Sequence, residues 1–170
     1  MSETIRAMFL VLMFAGITTL QFNMDADKTT SRQLQNTLEI ATHDAALALD
    51  ETRLAQGEMV FDQEQARYNI QQSIIANMDV DRTTEVYEWG AVFLKEENSF
   101  YQSSLVLYEP IFIDDSNTNS FPFLYENKEY GIREWLYGPA IVLSASIQSP
   151  RYFAGNGRYL RKTVIYEYFQ

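Results

Sequence analysis

The chain has 170 residues, with 13 Lys plus Arg against 23 Asp plus Glu, a formal charge of −10, one His and no Cys. Disulfides, thiolate metal sites, thiol nucleophiles and multi-histidine metal clusters are therefore excluded, and the acidic balance argues against nucleic-acid binding by phosphate neutralisation. At 46% hydrophobic residues the chain is too apolar for disorder, and its length suits one domain with an appendage.

The composition is uneven. Phe9, Phe14, Phe22, Phe61 and Tyr68 are the aromatic residues before position 83, and the other nineteen follow it. Helix first and sheet second is the pattern this predicts.

Residues 7–22 read AMFLVLMFAGITTLQF, and no charge occurs between Arg6 and Asp25. These roughly 18 uncharged residues make about 27 Å of helix, close to the hydrocarbon thickness of a bilayer. A cleavable signal peptide, a buried core helix and a membrane-resident helix compete for such a segment. The n-region is poor, with Arg6 opposed by Glu3, and no small-x-small cleavage pattern follows. The membrane-resident reading is the one that leads. Glu3, ahead of an apolar helix, is costly in lipid without a partner, and a neighbouring chain's amino terminus is one candidate. A solvated position at the membrane edge is the other.

Asp25, Asp27 and Lys28 form a polar rim, after which residues 30–55 lack Pro and Gly. Leu34, Leu38, Ala41, Ala45, Ala48 and Ala55 follow a 3-and-4 spacing, and small side chains on such a stripe permit close helix–helix approach. A helix unbroken from about residue 3 to 55 is roughly 80 Å long, so most of it is expected to pack outside its own domain. Gly57 reads as the stop of this helix. Asp62 with Gln65 reads as a variant capping box, opening a second helix over 63–77 with Ala66, Ile70 and Ile74 buried.

From Thr83 the period becomes two. Tyr87, Trp89, Ala91 and Phe93 read as one face of a strand. Residues 105–108 and 111–113 read as strands either side of Pro110, which favours an edge or a bend. Ile141, Leu143, Ala145 and Ile147 alternate with Val142, Ser144, Ser146 and Gln148 as a half-buried strand, and 163–169 close the chain with Val164, Tyr166 and Tyr168 on one side. Loops are marked at 114–120, 137–139 and 155–157. The expected fold class is α+β: a long helix in 1–56, a turn and second helix in 57–82, and an aromatic-rich antiparallel sheet of five or six strands in 83–170.

Candidate chemistry is sparse. Glu39 and His43 have helix-surface spacing for an ion pair or half a metal site, but no second histidine completes one. Asp115, Asn117 and Asn119 with Glu126 match positions 1, 3, 5 and 12 of a calcium loop. Ser120 and Pro122 depart from that pattern, and a polar turn before a strand explains the segment more simply. The acid pairs Asp79 with Asp81 and Glu96 with Glu97 read as solvated turn charges, and Ser144 and Ser146 lie outside any nucleophile elbow. No cofactor is expected. Residues 61–120 hold three basic and eleven acidic side chains, whereas 121–170 hold six and four. Arg151, Arg158, Arg161 and Lys162 are thus suited to meeting the acidic middle of another copy.

An apolar N-terminal helix that continues as an Ala-rich amphipathic helix and ends in a small aromatic-rich sheet resembles the type IV pilin-like proteins. This class spans pilins, pseudopilins, Tad-type subunits and archaeal pilins. Its members carry an acidic residue near the fifth mature position; here the acid is Glu3. The resemblance implies a non-enzymatic, adhesive cell-surface subunit that waits in the membrane and assembles with machinery proteins into a helical homo-oligomer. It implies Glu3, Phe9, Leu12, Phe14, Leu34, Leu38, Ala41, Ala45 and Ala48 as assembly residues. The runner-up is a single-pass membrane-anchored extracytoplasmic accessory protein of a secretion or conjugation system. A virion structural protein is a more distant third, and an enzyme comes last.

Overall fold

The computed structural model describes residues 2–168 apart from 89, 119, 129, 153 and 154, so Trp89, Asn119 and Phe169 lie outside the described residues. The fold is α+β. Helices α1 (Ser2–Ala46), α2 (Glu51–Leu54) and α3 (Gln63–Asn77) precede strands β1 (Val80–Tyr87), β2 (Gly90–Lys95), β3 (Leu105–Tyr108), β4 (Ile111–Ile113), β5 (Phe123–Asn127), β6 (Ile132–Leu136), β7 (Ala140–Gln148) and β8 (Tyr159–Glu167).

The long helix stops at Ala46 rather than 55. Leu49 bridges to Phe61, and Asp50 restarts the chain as a single turn, its carboxylate accepting from the Thr52 and Arg53 amides. Gly57 ends that turn with φ +86°, a conformation that side chains resist. Asp62 caps α3 as expected, accepting from Glu64 N and Gln65 N, and Ala66, Ile70 and Ile74 are buried. The reciprocal half of the box is not made, because the Asp62 amide donates to the Ala48 carbonyl at 2.9 Å instead.

Six strands form one antiparallel sheet. β1, β2, β3 and β7 are neighbours in that order; β4 takes the same side of β7 as β3, and β8 takes the other. Partner numbering slips by one residue between Leu107↔Ala145 and Ile111↔Val142, so Glu109 and Pro110 bulge out where Pro cannot donate to the ladder. The strand expected through Tyr87 and Phe93 is instead a hairpin. Gly90, with φ +141°, turns the chain there, and a Cβ on it would lie 2.0 Å from the Leu107 carbonyl oxygen. β5 and β6 form a separate two-stranded hairpin, which the reading of a single sheet did not include.

The residues of α1 from Ala26 onward, together with α3, cover one face of the sheet. Leu34, Leu38, Ala41, Ala45 and Ala48 join Phe61, Ile70, Ile74, Phe93, Leu105, Ile141 and Leu143 in the main core. Val164, Tyr166 and Tyr168 pack against it, as predicted. The Ala stripe does serve close helix approach, but the element that approaches is the chain's own α3. Ser73 of α3 donates to the Asp44 carboxylate, and Asn69 donates to the Asp44 carbonyl at 3.0 Å. On the other face Tyr125 and Leu136 of the hairpin pack on Ile113, Ala140 and Val142. β7 is therefore buried on both faces, not half-buried.

Because Ala45 is fully buried against filled space, Ala45→Leu is expected to overpack the core and cost about 1–3 kcal/mol. Urea unfolding of the full chain in detergent measures this, and an unchanged midpoint would show the stripe to be loosely packed.

Candidate functional site: the exposed half of α1 and its collar

Residues 3–25 of α1 include no buried position, and burial begins at Ala26. This stretch is long and apolar enough to cross a membrane. Of the residues expected to act in assembly, Phe9, Leu12 and Phe14 lie here and are 65%, 70% and 72% exposed. Several of its polar groups are closed locally. Thr18 donates to the Phe14 carbonyl at 2.9 Å and Thr19 to that of Ala15 at 2.6 Å, so neither hydroxyl needs water. Glu3 is paired within its own chain, accepting from Arg6 Nη1 at 3.1 Å one turn on.

Leu34, Leu38, Ala41, Ala45 and Ala48 divide from this set. The first four have no exposed surface, and Ala48 is buried beside them. They build the domain and present nothing to a neighbour, because their helix face is already filled by α3, β7 and β8.

Where α1 enters the domain, a collar holds it. Arg151, after β7, meets Asp27 with two bonds, Nη1 to Oδ1 at 2.6 Å and Nη2 to Oδ2 at 3.1 Å. Ser149 Oγ donates to the same carboxylate. Asn23 Oδ1 accepts from the Tyr152 amide at 3.0 Å, and the Phe22 and Tyr152 rings meet edge to face at 6.3 Å. The bonds from Arg151 lead the effects that hold the Asp27 carboxyl below the usual carboxylate range; burial opposes them, while Ser149 and the charge of Arg158 assist. None of this was legible in the sequence, since the partners lie more than 120 residues apart.

Of the calcium-loop residues, Asn119 lies outside the described residues, and Asp115 and Asn117 already accept backbone bonds. Asp115 Oδ2 accepts from Met59 N at 2.7 Å, and Asn117 Oδ1 accepts from Asp114 N at 3.0 Å. Glu126 is exposed on β5 with Arg133 as its register partner. The residue that matters is Asp114, fully buried, which accepts from Phe61 N and Ser116 N and ties the loop to the entry of α3. Among the described residues no three His, Cys, Asp or Glu side chains converge. His43 sits beside Asp44 and edge-on to Tyr166, while Glu39 takes a bond from Gln35. Arg151 is committed to Asp27, and the Arg161 guanidinium lies between the Tyr108 and Tyr130 rings at 4.2 and 4.3 Å. In comparisons with known proteins the chain matches no family model, no curated protein and no solved structure.

A carboxylate with a lowered folded pKa adds stability above its unfolded value, about 3.9, and loses it as pH falls through the lower folded value. Asp27→Asn is therefore expected to cost about 1–2 kcal/mol at neutral pH, with the gap to the parent chain closing below about pH 4. Thermal unfolding across pH 3–7 reads this, and a gap independent of pH would remove charge from the collar's role.

Proposed function

We propose that the chain is a structural subunit of an extracellular pilus-like filament, with the exposed half of α1 packing among its copies in the core and the sheet domain outside. One observation carries this reading: an apolar rod, continuous with the core helix of a folded domain, shows none of its apolar window buried within the chain. Leaving so many large apolar side chains in water is unfavourable by roughly 1.5–3 kcal/mol each, so an outside partner is required. Lipid serves before assembly and copies of the same helix serve afterwards. The subunit would wait in the membrane and then join a cell-surface polymer. Its work is mechanical and adhesive rather than catalytic.

A second reading, a single-pass membrane-anchored extracytoplasmic accessory protein of a secretion or conjugation system, is favoured by the closed Thr18 and Thr19 hydroxyls, which suit a helix that stays in lipid.

Electron microscopy of cells expressing the full chain separates the two. Filaments containing the chain are expected, and Phe14→Ala is expected to lower their yield several-fold while leaving the membrane fraction and the folding of the domain unchanged. A monomer whose residues 7–22 meet lipid alone sinks the filament reading and leaves the anchored one.

A further inference from the structure

The six-stranded sheet has two long open edges, β1 with eight residues and β8 with nine. Among the described residues, each of them has a neighbouring strand on one side only. Strand edges of that length are templates for pairing with another chain. Their charges are opposite in sign: residues 79–88 carry Asp79, Asp81, Glu85 and Glu88 against Arg82, and residues 158–167 carry Arg158, Arg161 and Lys162 against Glu167.

The ladder register connects these charges. Glu85 opposes Val92, Val92 opposes Val106, Val106 opposes Ser146, and Ser146 opposes Arg161. Glu85 and Arg161 are thus the two ends of one cross-strand row, on one face of the sheet. The adjoining row runs through Val86, Ala91, Leu107, Ala145 and Lys162. Every pairing on this path is antiparallel, so β1 and β8 point the same way. Outside α1, the most exposed large apolar side chains among the described residues are Val86 and Tyr159, each 70% exposed, one on either edge.

We infer that β8 of one copy docks beside β1 of the next, continuing the sheet from chain to chain. The occupant is a second copy because the acidic and basic edges belong to the same chain and meet at the same height in its ladder. Pairing either edge with its own kind across a two-fold axis would set like charges opposite one another, which is unfavourable. The contact is instead head to tail, and a contact of that type propagates. Sheet twist makes the propagation helical rather than flat. The Tyr108 and Tyr130 rings hold the Arg161 guanidinium inboard, over the sheet face, so Lys162 and Arg158 are the cations nearer the β8 edge. This inference rests on the filament reading and adds to it the surface by which the domains touch.

The chain has no cysteine, so introduced thiols report without background. Neighbouring strands lie about 4.8 Å apart, within disulfide reach. Full-length chains carrying Val86→Cys, Lys162→Cys, both together, or Leu12→Cys as a reporter of helix association are expressed and oxidised in filament-forming cells. The double variant is expected to give a ladder of cross-linked oligomers, co-expressed single variants a dimer band, and each single variant alone several-fold less. If filaments are seen and Leu12→Cys cross-links but the double variant gives no ladder, edge docking is wrong and the filament reading stands. Dimerisation of Val86→Cys alone as strong as that of the pair also overturns it. Absence of both filaments and Leu12→Cys cross-links overturns the two readings together.

Discussion

The structure depends on one constraint, the continuity of α1 across the edge of the domain. A single run of helix from Ser2 to Ala46 is exposed over its first half and forms the spine of the core over its second. Between Ala26 and Ala46 there is no Pro or Gly at which the helix would kink. Packing of Leu34, Leu38, Ala41 and Ala45 therefore fixes not only the domain but also the direction in which the apolar rod leaves it. The collar acts at the point of greatest leverage. Arg151 and Tyr152 reach back from the end of β7 to Asp27 and Asn23, and resist rocking of the rod against the sheet.

The sheet answers the same constraint from the other side. β7 is the strand on which everything converges: β3 and β4 share one edge, β8 holds the other, α1 lies on one face and part of the β5–β6 hairpin on the other. A strand enclosed in this way is apolar along both faces, which is why Val142 is as buried as Ile141. The collar residues follow directly from β7, so the clamp on α1 is tethered to the most enclosed strand of the domain.

Periodicity made much of this legible. The Ala66, Ile70 and Ile74 face of α3, its Asp62 cap and the Val164, Tyr166 and Tyr168 face of β8 follow from spacing and local chemistry alone. The failures share a physical cause, because a pattern reports that a face is buried but not what buries it. The Ala41 and Ala45 stripe looked like a surface for other copies, and α3 occupies it. The oxygens of Asp115 and Asn117 looked like cation ligands, yet backbone N–H groups use them. The turn at Gly90 was hidden within an apparent alternation, yet Val86 pairs with Ala91 and Tyr87 with Gly90, so the turn switches the parity and Tyr87 lies on the face opposite to Ala91 and Phe93. Asp27 with Arg151 and Asn23 with Tyr152 had no local signal at all.

Assigning the small-residue stripe to the core changes how copies would pack in a filament. Close approach of helix axes needs small side chains at the contact, and those of 41, 45 and 48 are already used. In residues 7–22 the small residues are Ala7, Ala15 and Gly16, set among Phe9, Leu10, Leu12, Phe14 and Leu20. Bulky side chains hold helix axes towards the wide end of the usual range of about 8–10 Å and interlock by shape rather than by backbone contact. The proposed filament core would then gain its cohesion from buried apolar area, which is non-directional. Direction has to come from elsewhere in the subunit. The rigid exit of α1 through its collar supplies one reference, and the opposed charges of the β1 and β8 edges supply a second.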